Sequence, residues 1–172
     1  STQHIVPYAG SWQYRYGDSP TLPDGGLAWS RDALDSPDWR STDSVHNPPG
    51  RAGRQDLWLR TRLSGPDTSD ATLFLHEVDQ TIAAYLDGVR IAQFGPMQSD
   101  ARRFIAKRPI YLSLGPQPVG KLLTLHIRSV YSDIGLLRTP LWGGRAELFA
   151  DAVYKGLPFL IIGAIALALG LG

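Results

Sequence analysis

Cysteine is absent from the 172 residues, which removes disulfides, thiolate nucleophiles, zinc-cysteine sites and iron-sulfur clusters together. That absence does not fix a compartment, because a cysteine-free chain suits an oxidising space and is also common in the cytoplasm. A surplus of one charge is missing too. Seventeen Lys and Arg stand against sixteen Asp and Glu, for a net charge of +1, and neither sign forms a run of five. Nucleic acid is therefore excluded as a partner, since phosphate binding needs a clustered basic surface. The motifs of common catalytic sites are lacking as well: no Gly-x-Ser-x-Gly elbow, no Walker loop, no His-Glu-x-x-His and no EF-hand loop. No cofactor is expected.

What is present is a globular composition, 43% hydrophobic and 19% charged, with eighteen glycines and thirteen prolines. So many turn formers suit many short strands better than a helical bundle. The chain opens Ser1-Thr2-Gln3 without Met, as it would after signal-peptide removal or after trimming.

Residues 1–150 read as strands. Trp12, Tyr14 and Tyr16 repeat every second position, and Asp56 to Leu63 places Leu57, Leu59, Thr61 and Leu63 on one face and Trp58, Arg60 and Arg62 on the other. Further runs at Ala71 to Val78, Thr81 to Leu86, Val89 to Phe94, Pro109 to Leu114 and Leu122 to Val130 are each bounded by Gly, Pro, Asp or Ser. Asp87-Gly88 predicts a two-residue hairpin turn, because both residues tolerate positive φ. Seven or eight such strands make an all-β, antiparallel β-sandwich or jelly roll. Ser19 to Pro49 reads as a long irregular connection with one helical turn near Ser36 to Trp39.

The last segment differs. Gly156 to Gly172 carries no charged or polar side chain, and as a helix it spans roughly 25 Å against a hydrocarbon core of ~30 Å. A buried C-terminal helix is the alternative, but apolar residues occupy every face where a soluble helix would carry a polar stripe. The expectation is the beginning of a transmembrane helix that continues further, since a free carboxylate at membrane depth is costly to desolvate. Tyr154 and Lys155 suit the headgroup level just before it. The expected division is 1–150 as a β-sandwich domain and 151–172 as junction and helix start. So brief a junction, with Pro158 in an early turn of the helix, should pass on movements of the domain.

Two family resemblances rest on specific residues. Leu34 to Trp39, Asp56-Leu57-Trp58-Leu59-Arg60-Thr61-Arg62-Leu63, Val78-Asp79 and Ala84-Tyr85-Leu86-Asp87-Gly88-Val89-Arg90-Ile91, extended by Gly10-Ser11-Trp12 and Leu122 to Arg128, resemble the sugar-binding jelly roll at the N-terminus of family-two glycoside hydrolases. Asp87 replaces the Asn usual in that hairpin, and the likeness covers most of residues 8–145. Trp58 to Arg60, Tyr85 to Gly95 and Pro140-Leu141-Trp142-Gly143-Gly144 resemble a relative of that fold, the periplasmic domains of bacterial receptors with a multi-helix membrane region and varied intracellular signalling modules. The first resemblance implies a galactose-binding-like fold whose catalytic carboxylates belong to a separate barrel, so no enzyme active site is expected within residues 1–172. The second implies an extracytoplasmic sensor of a small polar, carbohydrate-like ligand, held in the inner membrane with residues 1–155 in the periplasm. Other readings are a membrane-tethered carbohydrate-binding module serving a glycoside hydrolase, and a ligand-free ectodomain acting as a homodimer.

Candidate sites follow from residue type. Trp142 lies in a Pro/Gly-rich stretch with Arg138 and Arg145 nearby and Tyr131 and Asp133 on the preceding turn. Sugar faces stack on exposed aromatics while Asp and Arg bind hydroxyls, so these five residues form the expected ligand edge, with packing of Trp142 against the membrane surface or further helices as the other reading. Arg102, Arg103, Lys107 and Arg108, around Phe104 and Ile105, either hold an anion or lipid headgroups or form a solvated loop. His76 and His126 fall on strands, where satisfied strand histidines are expected ahead of a metal site that lacks a nameable third ligand. Glu77 and Asp79 share a strand face and are expected to be framework carboxylates. Trp12, Trp39 and Trp58 are expected in the core.

Overall fold

The computed structural model describes residues 5–31, 36–78, 80–97 and 108–170. Among the described residues, ten strands are followed by one α-helix: β1 (Val6–Pro7), β2 (Trp12–Tyr16), β3 (Arg40–Thr42), β4 (Asp56–Arg62), β5 (Ala71–Val78), β6 (Thr81–Leu86), β7 (Val89–Phe94), β8 (Arg108–Ser113), β9 (Leu122–Arg128), β10 (Leu141–Gly144) and α1 (Arg145–Ala168). Seven of these strands are the ones the alternation predicts. They pair antiparallel into a four-stranded sheet A, in the order β1-β10-β5-β8, and a six-stranded sheet B, in the order β3-β2-β4-β9-β6-β7. The result is an antiparallel β-sandwich. The hairpin between β6 and β7 turns on Asp87 at φ 48° and Gly88 at φ 80°, the double positive φ of a type I′ turn.

Because side chains alternate across a strand, the inner faces supply Tyr8, Trp12, Tyr14, Leu57, Leu59, Leu73, Leu75, Ile110, Leu112, Leu123, Leu125 and Ile127 to one continuous core. Trp142 belongs to this core as well. Its Pro- and Gly-rich neighbours suggest a loop, yet Leu141 to Gly144 pair with Ala71 to Phe74, which turns the indole inward. The residue is 1% exposed, lies 6.1 Å from the Tyr8 ring, and donates Nε1–H to the Pro66 carbonyl at 3.0 Å. An indole so placed can neither stack on a sugar nor rest on a membrane.

Three other expectations change. β1, β3 and β10 are too short to show alternation. The segment 36–39 forms a turn, closed by Trp39 N–H to the Ser36 carbonyl at 3.4 Å, and the helical turn of this connection is a 3₁₀ turn at Ala28–Ser30. The helix starts at Arg145 with no intervening linker and runs uninterrupted past residue 150, so Pro158 lies in its interior and not in an early turn.

The start of α1 is tied to the sheet. Arg145 N–H donates to the Asp70 carbonyl at 3.2 Å, and Leu148 is buried over Gly143, where an added Cβ would come within 3.4 Å of its Cγ and 3.3 Å of Ile5 Cγ1. Phe149 then meets Tyr111, ring centroids 6.3 Å apart, so the helix passes over the outer face of sheet A from the Ala71 end of β5 toward its Val78 end. Truncating Trp142 tests its core position: Trp142→Ala should lower unfolding stability by about 3–5 kcal/mol in a denaturant titration, whereas loss of an exposed aromatic would leave the midpoint almost unchanged.

Candidate functional site

The outer face of sheet B is built from the strand register. One row across the sheet reads Arg15, Trp58, His126, Ala83 and Gln93, and the next reads Gln13, Arg60, Thr124, Tyr85 and Arg90. Every β4 side chain pointing outward except Arg62 is buried, because the connection between β2 and β4 folds across this face. Trp29 lies edge-on to Trp58 at 5.8 Å, with the Arg15 guanidinium 3.6 Å over its ring, and Arg60 sits 4.0 Å over Trp39. Arg60 Nε also donates to Gln13 Oε1 at 2.9 Å. Trp39 and Trp58 are thus buried as expected, but under this outer cover and outside the inter-sheet core.

Where the cover ends, an open cleft of about 880 Å³ remains, lined by Gly25, Gly26, Leu27 and Ser30 on one side and by Tyr85, Gly88, Arg90, Gln93 and His126 on the other. Its floor is rigid. His126 stacks on Trp58 at 4.1 Å and 9°, and its Nε2 donates to Asp56 Oδ1 at 2.7 Å; Arg128 approaches the other Asp56 oxygen at 3.5 Å. Tyr85 lies 6.2 Å from Trp58 in a stacked arrangement, and burial holds its phenol above the usual tyrosine value despite the Arg90 charge, so it stays a protonated donor. Arg90 Nη1 donates to Gln93 Oε1 at 3.0 Å. The cleft therefore offers the Tyr85 ring with its phenol, the Arg90 guanidinium and the His126 imidazole, which Trp58 and Asp56 hold from beneath, a combination that suits a polar, multi-hydroxyl ligand.

The five residues expected at a ligand edge are not brought together. Trp142 is in the core. Arg145 begins α1 at the Ala71 end of sheet A, while Tyr131, Asp133 and Arg138 lie on the connection from β9 to β10, at the Val78 end. Asp133 accepts Asn47 Nδ2 at 2.9 Å, Ile134 N–H donates to Asn47 Oδ1 at 2.8 Å, and Arg51 donates to the Ser129 and Ser132 carbonyls at 3.1 and 2.6 Å. Those bonds clamp the loop, and Tyr131 remains 43% exposed beside it. Of the basic stretch, Arg102, Arg103 and Lys107 lie outside the described residues; Arg108 opens β8 opposite Val78, its guanidinium 5.4 Å over Phe94. Asp79 and the Glu77 side chain also lie outside the described residues. Tyr85, Arg90 and His126, read from the sequence as a hairpin likeness and a strand histidine, are the side chains that meet at this cleft. The signal for them is positional, since His126 is the register partner of Trp58 and Tyr85 sits two residues before the hairpin turn.

His76 and His126 do not meet. His126 is on the outer face of sheet B and His76 on that of sheet A, with the core between them. No group of three or more metal-ligating side chains occurs among the described residues. His76 lines a smaller cavity of about 280 Å³ with Phe74, Pro109, Leu137 and Arg138. Burial, then the positive charges of Arg138 and Lys155, depress its pKa below the usual 6.5, with a hydrogen bond to the Thr139 backbone acting the other way. The unfolded chain therefore takes up this proton first, so the contribution of His76 to stability is complete above about pH 6.5 and is lost as pH falls toward its folded pKa. Arg138→Gln should raise the His76 pKa in an NMR titration and reduce that loss on acidification; an unchanged titration would mean that Arg138 does not face the imidazole.

No known family profile matches the chain, and no curated protein sequence matches it significantly. Solved structures do. The β-glucuronidase of Faecalibacterium prausnitzii superposes with a TM-score of 0.52 at 14% identity, over 74% of this chain and 21% of that one. Bacteroides uniformis β-glucuronidase 2 superposes at 0.57 and 13%, over 82% and 18%. A Ruminococcus gnavus β-glucuronidase superposes at 0.54 and 11%, over 81% and 28%. The chain spans less than a third of each of these three enzymes, and at such identities the likeness concerns the fold alone. The fold is an antiparallel β-sandwich shared with the superposed part of those enzymes, followed by a helix long and apolar enough to cross a membrane.

Proposed function

We propose that this chain is the ligand-sensing extracytoplasmic domain of a bacterial membrane receptor, that α1 carries it into the inner membrane, and that the outer-face cleft of sheet B takes a small polar ligand of the carbohydrate class. The observation that carries the reading is the cleft: Tyr85, half-buried, and Arg90, exposed, line a space of about 880 Å³, above a floor held by the Trp58–His126 stack and the buried Asp56 carboxylate. A preorganised floor spares the ligand the entropy of ordering its site. The α1 helix supports the membrane half of the reading, being 24 residues long with a mean hydropathy of 1.6 over its most apolar window, almost none of it buried against the sandwich. Direct passage from β10 into α1 also supports a sensor, because a displacement of sheet A is not absorbed by a flexible linker.

The ligand must bind two poses of the domain with different affinity if it is to alter the pose of the helix. In this reading the sandwich binds and does not catalyse, and any output lies in other domains. The sites differ from those the motifs suggested: the cleft lies on the face opposite α1, away from the Tyr131 to Arg138 loop.

The experiment is a thermal-shift and calorimetric screen of the whole chain in nanodiscs against neutral sugars and sugar acids. A ligand at 100 times its Kd should stabilise the domain by about 2.7 kcal/mol. Tyr85→Ala and Arg90→Ala should each weaken that binding at least tenfold while Tyr131→Ala leaves it intact. Binding lost with Tyr131 or Asp133 variants instead would move the site to the loop, and no stabilisation by any member of the panel would remove the carbohydrate class.

A further inference from the structure

The Val78 end of the sandwich is the end that α1 leaves toward the membrane. The ten helical steps from Arg145 to Lys155 rise about 15 Å, close to the roughly 17 Å spanned by Ala71 to His76 along β5. Contacts follow the same path: Arg145 at Asp70, Leu148 on Gly143, Phe149 at Tyr111, and Lys155 near enough to bear on His76. The charge-free run begins one residue later, at Gly156. Whatever lies level with His76 is therefore within the headgroup layer, which is about 5–8 Å thick on each side of a bilayer.

What lies there is the connection into β10. Leu137 is 63% exposed and Arg138 is exposed beside it, and with Phe74, His76 and Pro109 they surround the cavity of about 280 Å³. A large apolar side chain held out at a loop tip next to a guanidinium matches the two components of an interface, acyl carbon and phosphate. Tyr154 on the helix, 75% exposed, adds an aromatic at the same level. Of the described carboxylates at this end, Asp151 accepts Lys155 Nζ at 2.6 Å, and Asp133 accepts the Asn47 amide.

We infer that the Leu137–Arg138 loop rests on the phospholipid bilayer that α1 enters, with Leu137 reaching the glycerol and upper acyl region and Arg138 pairing with a lipid phosphate at the mouth of the small cavity. The sandwich would then be held to the membrane at two points, the helix and this loop, and its tilt fixed by both. The inference rests on the membrane reading of α1.

The absence of cysteine makes single-site labelling direct. Leu137→Cys, Val119→Cys and Leu160→Cys, each carrying a polarity-sensitive fluorophore, are compared in phosphatidylcholine/phosphatidylglycerol nanodiscs with and without headgroup- or shallow-acyl-spin-labelled lipid. Val119, exposed on the connection between β8 and β9 at the opposite end, is the aqueous reference, and Leu160 lies within the apolar run. The expected result is blue-shifted emission at 137, severalfold more quenching there than at 119, and relief of that quenching by Arg138→Glu. Emission at 137 equal to that at 119, with 160 protected, overturns this inference and leaves the membrane helix standing. Exposure of 160 as well overturns both. Arg138→Cys provides a second label position if the 137 variant fails to fold, judged by its tryptophan emission.

Discussion

A guanidinium with no exposure to water, Arg60 on the central strand of sheet B, sets the constraint that the rest of this face obeys. An ion removed from water costs several kcal/mol unless partners replace its hydration. Here Gln13 supplies an acceptor from the neighbouring strand, and Trp39 supplies a ring face from the long connection between β2 and β4. The same connection brings Trp29 to Arg15 and to Trp58. Cation–π contacts of this desolvated kind contribute about 0.5–2 kcal/mol each. Their joint effect is to fold an otherwise irregular segment across a sheet face that would ordinarily be solvated.

Covering that face over β2 and β4 only is what creates the cleft. The lid reaches Ser30 and, through the Arg31 stem lying against Gly88, the tip of the β6–β7 hairpin; the remaining surface, over β6, β7 and His126, stays open. A buried Asp56 held by His126 and Arg128 fixes the cleft floor at its edge. Sheet A has a different arrangement. Its outer face carries the first turns of α1, seated on a glycine strand that lets Leu148 approach the backbone closely. The two outer faces of one sandwich thus present different surfaces, an open polar cleft on one and a helix on the other, separated by a single close-packed core.

Much of the strand set was legible because alternation with a period of two is a local property: β4 to β7 and β9 can be read from the order of Leu, Ile and Val against Arg, Thr and Gln. The hairpin at Asp87-Gly88 was legible for the same reason, since the φ values it needs belong to those two residue types. The residues that line the cleft were not. Trp142 and Trp58 are the same residue type in comparably turn-rich or strand-like surroundings, yet one fills the inter-sheet core and the other lies under a lid on the outside. That difference depends on the pairing of β10 with β5, through a register that no run of four residues can announce. Tyr131, Asp133, Arg138 and Arg145 look adjacent along the chain, but β10 carries the chain across the sheet between them.

By itself, the order of residues determined the local elements: alternating strands, a type I′ turn, and an apolar run that must be helical if it is to leave water. The tertiary structure decided which faces are buried, where a charged strand finds its partners, that the helix begins on the sheet at Arg145, and that the cleft lies away from the loop that composition favoured. The physical reason is the range of the interactions. Backbone φ preferences and hydrophobic periodicity act over a few residues, whereas the burial of Arg60 and Asp56 draws on groups from β2, β9 and the connection around Trp39, up to seventy residues away along the chain.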